Sequence, residues 1–447
     1  MSGPALPLLV RLYRSLLPVA LREWLSRRRN QRLCDGLRFA QGPAWTLPDP
    51  TTSQSSPPPD PVWKRGVNVL GYLRGQFGLG VSARAYSQAL MNVGYPVSLQ
   101  DSRVAVPHAN ADQSLVSHLR PGVGAFATTL VFVNPDHFSE AMAARGDVER
   151  PQRVVACWFW ELPRVPDAWR EAVAAVDEII VATEFVADAF RAVTDKPVTR
   201  IPFPLLDAEP SRLARADLGL PDGAFVFLCT FDCNSAVARK NPGAVINAFR
   251  AAFPPERKDV VLMLKSSNGH RNPDALRQLL ALAGADSRIL LRDDVIDVRH
   301  LQALQCHCDA YVSLHRAEGL GLGMAECMRL GKPVIATGWS GNMDFMNAGN
   351  SLLVDYTLVP VKTGEYPHAE GQVWAEPDVR HAAALMQQVV DRPADVADRV
   401  GRARREIEHG MSLQRSGALL AAYLESPPPL AVPASPDGRG LSGAGTP

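Results

Sequence analysis

The sequence lacks the features that mark several large protein classes. Its cysteines number seven in 447 residues, an odd count with no CxxC pair, which suits neither a disulfide framework nor a zinc ribbon. Cys306-His307-Cys308 is a tight sulfur and nitrogen cluster, but adjacent ligands without a second cluster rarely close a tetrahedral site, so no metal is expected. No run of about 18 apolar residues occurs, and no spanning helix is expected. Arg11 and Arg14 interrupt the early apolar stretch, which argues against a signal peptide. Free thiols in a reducing cytoplasm follow from these absences. The formal net charge of +1 supplies no cationic excess for coating nucleic acid.

What is present is globular composition, 46% hydrophobic and 21% charged, in a chain too long for one growing core. Two domains are the natural expectation. The small net charge hides an asymmetry. Residues 1–33 hold seven arginines against Glu23, a local charge of +6, so the remaining residues sum to −5. Arginine alternates there with Leu and Trp, as in Leu8-Leu9-Val10-Arg11-Leu12-Tyr13-Arg14 and Leu21-Arg22-Glu23-Trp24-Leu25. That is the composition of an interfacial helix, kinked at Pro18, that would lie on an anionic membrane surface. Packing on its own domain is the plainer alternative.

Residues 34–65 read as a solvated Pro/Ser-rich linker, and 427–447 as a Pro/Gly tail unable to build a core. Between them, short apolar strands alternate with helical patterns, the signature of parallel α/β layers. Strands are expected at 67–70, 95–99, 129–133, 154–158 and 178–182. A second series is expected at 225–229, 260–264, 289–292, 310–314 and 333–336. Ile201-Pro202-Phe203-Pro204 forbids regular structure between the series. The expected fold is α/β, two facing Rossmann-like domains over 66–205 and 206–411 with a cleft between them and a closing helix over 412–426.

The segment from Asp309 to Glu326 carries the chemistry. It reads strand, glycine-rich turn and helix, and Gly331-Lys332-Pro333 stops that helix before the next strand. Ligands of open parallel sheets sit at the carboxyl ends of strands, which is where Glu318 falls; Glu326 follows on the helix. The turn Gly321-Leu322-Gly323 exposes N–H groups at a helix N-terminus, a bed for phosphate. The two carboxylates suit sugar or ribose hydroxyls, because ionised acceptors form the stronger hydrogen bonds. Two solvated acids beside a structural turn would be the bland alternative, but strand, turn, helix and stop all fall in order.

Glu318 and Glu326, spaced Glu-x7-Glu with Gly-x-Gly inside and Gly331-Lys332-Pro333-Val334-Ile335 after, resemble the donor-site motif of retaining glycosyltransferases of family 4. The resemblance is strongest over 225–375. It implies the GT-B fold, a nucleotide-diphosphate-sugar as donor substrate, no cofactor and no essential metal. By that analogy Glu326 holds the donor ribose and Glu318 the hydroxyls of the transferred sugar. Departure of a diphosphate needs preorganised cations, and Lys240 resembles the family's phosphate lysine. The family's arginine five positions earlier is replaced by Ser235, leaving Arg239 or Lys265 as the second cation. The segment Gly338-Trp339-Ser340-Gly341-Asn342-Met343-Asp344 is expected to contribute to sugar choice.

In the first half, Gly78 and Gly80 are expected in a loop that lets this domain approach the diphosphate and acceptor. Gly78-x-Gly80-x-x-Ala83, with Asp101 beyond, also meets the dinucleotide fingerprint and supports an NAD-dependent oxidoreductase as the alternative. Four residues, Arg74 to Phe77, separate strand from glycines, which weakens it. Asp136 and His137 follow a strand and are candidates to orient the acceptor or take its proton; Glu161 in Cys157-Trp158-Phe159-Trp160-Glu161 is another. Thr183 is expected as a structural helix cap. The partners implied are a nucleotide-sugar and a glycan or lipid-linked acceptor at the inner face of a membrane, with no nucleic acid. A catalytically silent membrane-surface protein is a further alternative.

Overall fold

The computed structural model describes residues 65–120, 126–145, 153–207, 212–284 and 286–426, together with seven positions between 17 and 28. The chain divides into two units, Met1–Val62 and Trp63–Pro447. In the first, Ala20, Leu21, Trp24, Leu25 and Arg28 are helical. The Arg28 guanidinium lies 4.9 Å from the centre of the Trp24 ring, and Trp24 is exposed. Most of the basic segment, nearly all of the 34–65 linker and the tail from 427 lie outside the described residues.

The second unit is built on two six-stranded parallel sheets. The first takes β1 Val67–Gly71, β2 Val97–Asp101, β3 Thr128–Phe132, β4 Arg153–Cys157, β5 Glu178–Val181 and β6 Val198–Arg200, in the order β2-β1-β3-β4-β5-β6. The second takes β7 Phe225–Asp232, β8 Val260–Ser267, β9 Ile289–Asp293, β10 Ala310–Ser313, β11 Val334–Thr337 and β12 Leu352–Val354, in the order β12-β11-β10-β7-β8-β9. Helices cover both faces, so the strands are apolar on consecutive residues rather than alternately. Val226, Phe227 and Leu228 of β7 are each at most 1% exposed. Each sheet reverses strand order once, between β1 and β3 and between β7 and β10. Those two crevices are where parallel sheets receive ligands.

All ten expected strands form. The structure adds β6 and β12, three residues each, and an antiparallel pair, β13 Tyr356–Pro360 with β14 Val373–Pro377. The closing helix, Leu413–Glu425, crosses back to the first sheet's layer and packs on the helix Gly78–Asn92. Gly417 permits the approach, because a Cβ there would lie 2.1 Å from the Ala89 carbonyl oxygen. Near the helix end Arg153 grips Glu178 at 2.6 and 2.9 Å and donates to the Leu424 carbonyl. Tyr423 donates its hydroxyl to the same Glu178 carboxylate. A buried pair that satisfies this many donors ties this helix to strands β4 and β5.

Candidate active site

A cavity of about 780 Å³ opens at the carboxyl ends of both sheets. Phe77, Gly78, Asn134, Asp136, His137 and Glu161 line it from the first half. From the second half come Asp232, Ser235, Arg239, Lys240, Lys265, Glu318 and the turn Gly321-Leu322-Gly323. Both crevices of reversed strand order therefore open into one space.

Glu318 follows β10 on a turn clamped from both halves. Its N–H donates to Ser340 Oγ at 2.9 Å, and its carbonyl accepts from the Gly341 N–H at 2.8 Å. Gly341 must be glycine, since a Cβ would lie 2.2 Å from the Gly319 carbonyl oxygen. From the first half, Thr183 Oγ1 donates to that same Gly319 oxygen at 2.9 Å. Thr183 thus joins the two halves as well as capping the helix Glu184–Arg191. The 338–344 segment braces the turn from behind, and none of it is on the cavity wall.

The Glu318 side chain is 9% exposed. Lys240 Nζ lies 2.5 Å from its Oε1, and Arg239 Nη1 lies 3.1 Å from its Oε2. Burial alone would raise the carboxyl's pKa, but Lys240 and Arg239 outweigh it and hold the value at about 2. Glu318 is ionised at any physiological pH.

The two cations differ in freedom. Arg239 is 3% exposed and donates to the Ala317 carbonyl at 2.8 Å and the Ser235 carbonyl at 3.3 Å. Its Nη2 lies 3.7 Å from Glu161, whose other oxygen accepts from Tyr366 Oη at 2.6 Å. Arg239 is a fixed strut behind Glu318. Lys240 keeps 22% of its side chain exposed, against 4% for Arg239, and is the freer of the two on the cavity wall. Ser235 contributes a carbonyl rather than a charge. Lys265, 4% exposed, gives its protons to the Ser266 carbonyl, the Asp294 carbonyl and Asp294 Oδ1. It anchors the turn after β9.

Gly321 caps the helix Leu322–Arg329 at φ +94°, a left-handed conformation that favours glycine. Gly323 lies under Tyr311, where a Cβ would sit 2.6 Å from the phenol oxygen; that oxygen pairs with Thr230 Oγ1 at 2.7 Å. The first N–H groups of a helix lack intrahelical partners, and Leu322 and Gly323 are on the cavity wall. Glu326 is one turn deeper and not on that wall. Its Oε2 accepts from Gln305 Nε2 at 2.6 Å, and burial pushes its pKa up against that hydrogen bond.

In the first half, Gly78 begins its helix on the cavity wall, with open space where a Cβ would go. Gly80 is off the wall and packs against the preceding turn, where a Cβ would lie 2.3 Å from the Gly75 carbonyl oxygen. Asp101 accepts from the Arg74 N–H at 3.2 Å and is not on the cavity wall, which deprives the dinucleotide reading of its acid. Asp136 accepts from Trp169 Nε1 at 2.9 Å. His137 Nδ1 lies 3.6 Å from Glu140. Of the aromatic run, Trp158 and Trp160 are core and Phe159 is on the wall. In the Cys-His-Cys run, Cys308 Sγ donates to the Gln305 carbonyl and His307 Nε2 pairs with the Leu213 carbonyl. Three site residues escaped sequence reasoning. Gln305, behind the wall, meets Glu326 of the next helix, Tyr366 reaches Glu161 across 205 residues, and His108 stacks on Phe77 at 4.2 Å from a loop without motif.

Residues 226–363 match the family model described as Glycosyl transferases group 1. No curated protein matches the chain. Among solved structures it is similar to HepE of Anabaena in complex with UDP and glucose, at TM-score 0.57 and 14% identity over 81% of this chain and 100% of that one. Sucrose-phosphate synthase of Thermosynechococcus elongatus gives TM-score 0.58 and 15% identity over 81% and 98%. A glycosyltransferase of Rickettsia africae gives 0.54 and 11% over 81% and 98%. With two parallel six-stranded sheets facing one cavity, the chain has the GT-B fold of two Rossmann-like domains.

Proposed function

We propose that this protein is a glycosyltransferase that moves a sugar from a nucleotide-diphosphate-sugar to a hydroxyl of a glycan or lipid-linked acceptor, with retention of anomeric configuration. The observation that carries the reading is Glu318, ionised, between Lys240 and Arg239 beside a glycine-capped helix N-terminus. The match of 226–363 to Glycosyl transferases group 1 spans these same residues and supports it.

In this reading the diphosphate rests against the N–H groups of Leu322 and Gly323, and Lys240 neutralises the charge that grows on it as the sugar leaves. Lys240 must then exchange Glu318 for phosphate oxygen. Glu318 accepts hydrogen bonds from the hydroxyls of the transferred sugar, and Arg239 keeps the carboxylate in place. The acceptor enters from the wall bearing Asp136, His137 and Glu161, and attacks from the face that the diphosphate leaves. The departing oxygen helps take its proton, so no protein nucleophile is needed. Positive charge comes from Lys240 and the helix terminus, so the reaction is metal-independent. Residues 1–33 hold the enzyme at an anionic cytoplasmic surface.

A panel of nucleotide-sugars, scored for release of nucleoside diphosphate with and without excess EDTA and followed by NMR of the product, tests this. The expected result is EDTA-insensitive release with one donor class and a product anomer matching the donor. Inverted product removes the retaining assignment, and release with no donor removes the transferase.

A further inference from the structure

Behind the glycine turn, two helices bring one amide and one carboxylate together. The helix Val298–His307 is started by Asp297, whose side chain accepts from the His300 N–H at 2.8 Å. On it, Leu301 is on the cavity wall and Gln305 follows four residues later. On the facing helix Leu322 is on the wall and Glu326 follows four residues later. A spacing of four keeps each pair on one helical face, one turn of about 5.4 Å apart. Gln305 and Glu326 therefore meet directly behind the wall, with Gln305 Nε2 donating to Glu326 Oε2 at 2.6 Å.

We propose that Gln305 is a positioning residue that orients the Glu326 carboxylate toward the ribose hydroxyls of a bound nucleoside diphosphate. The inference rests on the donor site proposed above. Chemistry fixes the direction of the bond, because an ionised carboxylate only accepts and the amide must offer its NH₂. Gln305 is 1% exposed, and its Oε1 has no hydrogen-bond partner among the described residues. A buried acceptor left unpaired costs folding free energy that an apolar side chain of the same length would not incur. Packing therefore does not explain a glutamine here; its grip on Glu326 does. That grip also opposes the effect of burial on Glu326. It favours the ionised form, the stronger acceptor for a hydroxyl. Gln305 takes one carboxylate oxygen and fixes the plane in which the other is presented.

Calorimetry on the full chain tests this, with UDP, ADP, GDP and CDP as probes, then the tightest of them beside its 2′-deoxy counterpart. In the wild type, loss of the 2′-hydroxyl should weaken binding about tenfold, as expected for a hydrogen bond to a charged group. Gln305→Met should weaken the ribonucleotide by a similar factor and shrink the 2′-deoxy penalty toward one. On a Glu326→Gln background, Gln305→Met should add no further loss, because its effect runs through the missing carboxylate. This second variant also reports if Gln305→Met alone folds poorly. An unchanged 2′-deoxy penalty in Gln305→Met, or a full further loss on the Glu326→Gln background, overturns the positioning role. A wild type indifferent to the 2′-hydroxyl overturns instead the ribose role of Glu326, and one that binds none of the four nucleotides overturns the donor site itself.

Discussion

Lys240 Nζ and Glu318 Oε1 lie 2.5 Å apart across 78 residues of sequence, and this contact joins the short helix Val237–Lys240 after β7 to the loop after β10. Of Arg239, Lys240 and Lys265, which all line the cavity, Lys240 keeps the most exposed side chain. A diphosphate entering the cavity competes with Glu318 for that ammonium.

Glu318→Gln removes the competitor and the sugar contact together. Binding of free nucleoside diphosphate should be no weaker than in the wild type while transfer falls. Glu326→Gln should do the opposite, weakening the nucleotide first. Calorimetry beside single-turnover rates separates the two, and matching defects in both variants would remove the division of labour.

The same ion pair sets a pH dependence of stability. Glu318 has its pKa depressed from the ordinary 4.5 to about 2 in the folded state. A depressed acid stabilises the fold above its unfolded value, and this contribution drains away as pH falls from about 4.5 toward 2. Urea midpoints measured between pH 6 and 3 should therefore drop more steeply for wild type than for Glu318→Gln. Parallel curves would mean that the pair does not bias Glu318 in this way.

Deleting residues 1–33 should leave a folded enzyme that no longer sediments with anionic vesicles. The segment carries +6 interleaved with Leu and Trp, and each basic residue near such a surface contributes about 1 kcal/mol. Binding of the full chain should weaken as salt rises. Equal sedimentation of both forms contradicts the membrane role.

The sheets were legible because parallel strands covered on both faces are apolar in unbroken runs, as Val260 to Leu264 is in β8. Strand ends were less so. β7 continues past Cys229 through Thr230, Phe231 and Asp232, where pairing with β8 outlasts the apolar pattern. β6 and β12 are too short to declare themselves, and β13 alternates poorly because most of it faces solvent. Glu318 could be picked out from the local order of strand, turn and helix, and Lys240 from the family resemblance. The strut role of Arg239 could not, since Glu161 and Tyr366 are 205 residues apart. The bracing of Glu318 by Ser340 Oγ and the Gly341 N–H was hidden too, because neither contact follows a local sequence pattern.

The central claim is that Lys240 and Glu318 form the working centre of a sugar-transfer site. Single-turnover transfer by wild type, Lys240→Ala and Glu318→Gln, each at saturating donor, tests it most directly. Losing an electrostatic contact that strengthens as a leaving group gains charge costs about 3–4 kcal/mol, or roughly 100- to 1000-fold in rate. The account predicts a loss of that size for Lys240→Ala and a clear loss for Glu318→Gln, with both variants folded. Wild-type transfer rates in both variants would contradict it.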